Sequence, residues 1–211
     1  MYTPPAFRDE DVESLRATIR AARLAHFVTA TAEGPLATPL PLFLDESEGE
    51  GEAEWGVIYG HFSKANPQWR QPPLGDALAM FMGPDAYVTL SWYETKRETG
   101  KVVPTWNYVA VHAYGPVEFF EDPDRLLEVV TRLTDLQEGA RPEPWAVSDA
   151  PADFIKAQLR GIVGLRMPVT RLEGKRKLSQ NRSAADRAGV AAGLAESDDP
   201  TDRAMAALIP R

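Results

Sequence analysis

The sequence predicts a mainly β protein with peripheral helices, arranged as an antiparallel barrel. Three observations carry this. Short runs rich in β-branched and aromatic residues recur between residues 26 and 120 with hairpin-scale connections, not the helix-length crossovers of a parallel sheet. Helical periodicity is confined to a few flanking segments. The 211 residues are 44% hydrophobic and contain no cysteine, so the core must form without disulfide staples. No repeat of fixed period interrupts the chain, and residues 1–211 read as a single barrel domain.

Residues 9–25 open the series as an amphipathic helix: Val12, Leu15, Ile19 and Ala22 recur at helical spacing, with acids in the first turn and Arg16, Arg20 and Arg23 toward the end. Residues 26–31 and 36–44 flank Ala-Glu-Gly-Pro and read as a β-hairpin. Pro39 and Pro41 lie two apart, so both missing N–H groups fall on one side of an extended strand, which must face solvent, a bulge or a ligand. Residues 45–54 hold six acids and two glycines, the composition of a poorly ordered hairpin loop. Strands follow at 55–61, 77–82 and 87–93, with a helical turn at 63–69 and a charged loop at 94–101. A long strand covers 108–120. Asp122 and Pro123 then supply the cap and first turn of a helix that buries Leu126, Val129, Val130 and Leu133 and ends near Gly139. After a loop at 141–144 come a short helix at 152–160, a last strand at 162–172 interrupted by Pro168, and peripheral C-terminal helices within 183–211.

The formal net charge of -8 opposes a nucleic-acid backbone, and no second helix follows the first at helix-turn-helix spacing. Residues 160–187 run the other way, with eight Lys or Arg against Glu173 and Asp186, so a local anion site survives the acidic background. No run approaches the roughly 20 apolar residues of a membrane span, and the N-terminus lacks the basic start and apolar run of a secretory leader; a cytoplasmic location is expected.

Three segments carry candidate chemistry. Val103-Pro-Thr-Trp-Asn-Tyr108 puts two aromatic rings, a hydroxyl and an amide at a strand entrance, which suits a flat aromatic ligand; capping of a barrel core by Trp106 and Tyr108 is the competing role. Gly60-His-Phe-Ser-Lys-Ala-Asn-Pro67 places Ser63 and Lys64 between a strand and a helical turn, where N–H groups and an ammonium can meet a phosphate, or simply form a capped turn. Lys177-Leu-Ser-Gln-Asn-Arg182 offers Gln180 and Asn181, which both donate and accept, to a ring with adjacent carbonyl and N–H groups, or to water. His26, His61 and His112 show no metal-ligand spacing, and no acid/base pair, nucleophile elbow, GxGxxG or P-loop is present. No catalytic residue is assigned, and any chemistry falls to a cofactor.

In order and spacing, Met1-Tyr-Thr-Pro, His61 to Trp69, Val103 to Tyr108 and Lys177 to Arg182 together resemble the PaiB-like family of FMN-binding negative transcriptional regulators. The resemblance implies an antiparallel split β-barrel of the FMN-binding type, related to the pyridoxamine-phosphate oxidases, and a homodimer with FMN at the subunit interface. It implies that Ala37, Thr38, Pro39 and Leu40 line the isoalloxazine edge and that Ser63, Lys64 and Asn66, in one segment with His61 and Phe62, hold the phosphate end. Thr105, Trp106 and Asn107 would stand near the ring, and Lys177, Gln180 and Asn181 would close the pocket. One departure is that the turn after His61 supplies no arginine before Arg70, so Arg176 or Arg182 is the candidate for the missing charge. The implied DNA partner finds no support in the acidic composition. A flavin-dependent oxidoreductase acting on a small molecule, and a haem-binding barrel with His61 or His112 as axial ligand, are the alternatives on the same fold.

Overall fold

The computed structural model describes residues 1–48 and 53–210. The expected acidic loop therefore lies partly outside the described residues, at positions 49–52. The chain forms two compact units: the first comprises Met1–Ala21, Met82–Val111 and Glu173–Arg211, the second Ala22–Phe81 and His112–Leu172.

Strand β1 (Arg8–Asp9) pairs antiparallel with β10 (Arg171–Lys177), and the strand order continues through β7 (Thr105–Gly115) to β6 (Ala77–Val88); the first unit holds β1 and residues 173–177, 105–111 and 82–88 of the other three. Helix α1 (Val12–Ala21) is shorter than its periodicity predicts. Asp9 is taken by the β1 ladder, and the Asp11 carboxylate accepts from the N–H groups of Glu13 and Ser14, so the helix starts at residue 12. Residues 94–99, expected as a loop, form helix α2 (Glu94–Thr99), closed by Gly100 at φ 68°, the left-handed cap that glycine adopts without strain. Asp186 at the start of α5 (Ala184–Ala195) anchors α2 by accepting from the Thr95 N–H at 3.0 Å and the Thr95 hydroxyl at 2.7 Å. With α6 (Pro200–Leu208), α5 supplies Val190, Leu194 and Met205 to a core that also holds Val88, Tyr93, Val109 and Leu178.

In the second unit, β2 (Ala25–Thr31) lies between β6 and β3 (Gly34–Leu40). A second sheet runs β4 (Leu42–Asp45), β5 (Val57–Ser63), β9 (Ile162–Pro168), β8 (Glu118–Phe120), every pair antiparallel. The proline argument holds for Pro39 and not for Pro41, because the expected strand at 36–44 is broken after Leu40. β3 is an edge strand that turns Pro35, Ala37 and Pro39 outward, while Pro41 falls outside it and passes the chain to the second sheet. The core packs Phe27, Phe62 and Phe119 edge to face, with centroids 5.8 and 5.7 Å apart. Helix α3 (Pro123–Glu138), capped by Asp122 as expected, packs Leu126, Val129 and Leu133 against Phe43, Phe120 and Leu159 of α4 (Ala152–Leu159).

Four further expected strands have different limits. Residues 77–82 and 87–93 are not two strands: β6 is continuous through Gly83-Pro84, where its inward positions change parity from Ala77, Ala79 and Phe81 to Ala86 and Val88, as a bulge produces. The long strand at 108–120 is two strands, because a side chain at Gly115 would meet the Pro168 carbonyl oxygen at 1.8 Å and Pro116 then ends the ladder. Pro168 likewise ends β9, and residues 171–177, the most basic part of the chain, form β10.

Candidate functional site

The strand limits decide what the motifs can do. Because β7 begins at Thr105, the Thr-Trp-Asn segment is part of a strand with Pro104 just before it, and alternation sends Trp106 outward and Asn107 inward. Trp106 is 54% exposed and meets Tyr87 of β6, itself 49% exposed, edge to face at 5.8 Å. Asn107 is fully buried. Its amide donates to the Ser179 hydroxyl at 3.0 Å and its carbonyl accepts from that hydroxyl at 3.2 Å, a closed pair that pins the turn after β10. Ser179 sits at φ 61°, a conformation a non-glycine residue holds only when its surroundings fix it.

That turn projects Lys177 toward the β7 entrance, where its ammonium donates to the Thr105 hydroxyl and to the Trp106 carbonyl at 2.6 Å. Among the described residues no carboxylate pairs with it. Burial, and then the nearby charges of Lys175 and Arg182, push its pKa below the usual lysine range. Lys175 is only 8% exposed and is held by the Tyr2 carbonyl at 3.1 Å and by the rings of Tyr2 and Tyr108, centroids 5.6 and 5.1 Å away. Arg182 lies 5.0 Å from the Tyr93 ring centre. Lys177 and Lys175 thus rest on neutral partners, with Arg182, whose charge also acts on Asp186, close by and an exposed pair of aromatic rings alongside. Gln180 spends its amide locally, accepting from the Leu178 N–H and donating to the Arg176 carbonyl, both at 2.6 Å, while Asn181 is exposed.

In the second unit the expected residues are held as follows. Asn66 caps the 3-10 turn Pro67–Arg70 by accepting from Gln68 N–H, and its amide donates to the Thr38 hydroxyl at 2.9 Å. Thr38 donates in turn to the Gln68 side-chain carbonyl at 2.6 Å. The buried Gln68 amide donates to the Phe27 carbonyl, the Thr29 hydroxyl and the Leu36 carbonyl. Thr38 and Asn66 therefore belong to a network that ties β3 to β2, and sequence reasoning missed its centre, Gln68, because nothing in its neighbours marks it as buried. Phe62 and Leu40 are core residues, Ala37 and Pro39 lie on the outer face of the edge strand, and Ser63 is exposed. Lys64 forms an ion pair with Glu121. His61 faces a cavity of about 350 Å³ lined by Val130, Leu133 and Trp145; its Nδ1 is buried without a hydrogen-bond partner among the described residues, and burial lowers its pKa.

The antiparallel sheets with flanking helices are those of a split β-barrel, the fold of flavin-binding proteins with solved structures. The "FAD and Heme binding protein" of Mycobacterium smegmatis matches 81% of this chain and 73% of its own at 15% identity and a TM-score of 0.58. The flavocytochrome Anf3 of Azotobacter vinelandii matches 81% and 69% at 18% identity and a TM-score of 0.57. In sequence, "Protease synthase and sporulation protein PAI 2" of Bacillus subtilis is 34% identical over 210 residues, covering 99% of this chain and 96% of that protein. Residues 1–171 match the family described as "Putative FMN-binding domain", and the chain belongs to that FMN-binding, PaiB-related family. No helix among the described residues is long and apolar enough to cross a membrane.

Proposed function

We propose that the chain holds FMN in its first unit, on the Lys177 turn and the outer face of β7. One observation carries this reading. Lys177 is partly desolvated, close to two further cations and without a carboxylate, an arrangement that costs free energy until an anion arrives. Beside it, Trp106 and Tyr87 offer exposed ring surface for stacking. Anion and flat ring are the two halves of FMN, and the residues fit the group. Lys177, with Arg182 behind it, takes the anionic part; Arg182 thereby answers the missing arginine. Thr105 and Asn107 position rather than touch, Thr105 by holding the ammonium and Asn107 by fixing the turn through Ser179. When bound, FMN supplies one- and two-electron redox chemistry.

The exposed Tyr87–Trp106 pair, with the exposed Met82 and Val103 of the same unit, is proposed as the surface on which two copies meet, so that the flavin is covered by the dimer. Similarity to a protein named for protease synthesis and sporulation supports a regulatory role for this flavin-dependent dimer. Absorbance of the purified protein and titration with FMN test the reading. Yellow protein, or uptake of close to one FMN per chain with dimeric mass, is the expected result. Colourless protein that takes up no FMN overturns it, and sustained NADH consumption by the loaded protein replaces regulation with an oxidoreductase.

A further inference from the structure

A second cavity, of about 430 Å³, lies wholly in the second unit between the start of α3 and the end of α4. Pro123, Leu126, Leu159 and Ile162 give it an apolar lining, and Lys64, Glu121, Lys156 and Arg160 surround that lining. Three cations thus stand against one carboxylate in a chain whose net charge is -8. Glu121 is committed to Lys64, whereas Lys156 and Arg160 have no carboxylate partner among the described residues. They lie four residues apart at the end of α4, a spacing at which like charges repel. The helix dipole offsets part of that repulsion but gives no reason for both to border an apolar cavity.

We infer that this cavity is a binding site for a small amphipathic carboxylate, an aliphatic or aryl acid. Its apolar body rests on Leu126, Leu159 and Ile162, and its carboxylate meets the flat guanidinium fork of Arg160 with Lys156 adding charge. The volume falls in the range of small-molecule sites, and the apolar lining is larger than an inorganic anion needs. This inference does not rest on the flavin reading, because none of these residues belongs to the Lys177 cluster.

The test is titration of the full-length, FMN-saturated protein with octanoate, 1-octanol and octylamine, read by methyl chemical shifts of Leu126, Leu159 and Ile162. Octanoate is expected to give saturable shifts, and the two uncharged or cationic analogues of equal chain length little or none. The exposed pair Lys156→Gln and Arg160→Gln is expected to weaken octanoate at least about tenfold while leaving the methyl spectrum of the free protein intact. Lys177→Ala is expected to leave octanoate binding unchanged. Equal response to octanol, indifference to the double substitution, or absence of saturable shifts overturns the inference. Mutual exclusion of octanoate and FMN, with FMN affinity lost in the same double variant, also overturns it by making the cavity part of the flavin site.

Discussion

The two polar motifs look alike in sequence, each a short run of Ser, Lys, Asn and Gln beside a strand, yet they are satisfied differently. In the second unit, Thr38, Asn66 and Gln68 consume one another's hydrogen bonds and Lys64 consumes Glu121. In the first, Asn107 and Ser179 also close on each other, but Lys177, Lys175 and Arg182 stay together on hydroxyl, carbonyl and ring partners. Closed hydrogen bonding marks a brace. A lysine held beside other cations with no carboxylate of its own marks a place for something that arrives later.

The largest expected effect tests the brace. Gln68→Ala strands a buried hydroxyl and two carbonyl groups and should cost about 3 kcal/mol, read as a drop in denaturation midpoint, with FMN affinity per folded molecule unchanged. A variant that folds normally but loses FMN would reverse the comparison. Lys177→Ala should do the opposite, weakening FMN by roughly 10- to 100-fold in a fluorescence titration while the denaturation midpoint stays put. Because the lysine must be protonated to act, affinity should also fall with rising alkaline pH, beginning below the ordinary lysine pKa of 10.5.

Charge matching in the second unit gives a third prediction. Burial would raise the pKa of Asp45, but hydrogen bonds from Arg132 and Ser47 outweigh it and bring the carboxyl from 3.8 to about 2. A depressed carboxylate stabilises above its unfolded pKa, so about 2 kcal/mol should be lost as pH falls from 3.8 toward 2. Asp45→Asn should flatten that part of the acid-denaturation curve. The smallest effect belongs to His61, which burial keeps neutral. The unfolded chain then binds more protons just below pH 6.5, so stability should decline on moderate acidification. His61→Phe should abolish the decline; an unchanged slope would mean the imidazole has a partner.

The class of fold was legible because alternation and turn chemistry are local, as in the capped start of α3 at Asp122-Pro123 and the edge strand marked by Pro39. Strand limits at Gly115 and Pro168 were not, because they arise where one strand's backbone approaches another's. The candidate site was readable as residue types, while the partners those residues find were not. Asn107 and Gln180 have the donors and acceptors a flavin ring needs, but whether those groups face a ligand depends on partners 72 residues away or on a local turn. Lys175 and Tyr2, which shape the charge around Lys177, meet across 173 residues and carry no local signal of doing so.

The core of the first unit has a consequence for how the chain can be divided. The family match ends at residue 171, the first residue of β10, whereas Leu178, Val190, Leu194, Met205 and Ile209, which cover Val88, Tyr93 and Val109, all come later. A fragment cut at that border would leave those three side chains facing water and would lose the partner strand of β1. The final forty residues therefore supply part of the first unit's core, and proteolytic trimming that treats them as a dispensable tail should yield insoluble or protease-sensitive product.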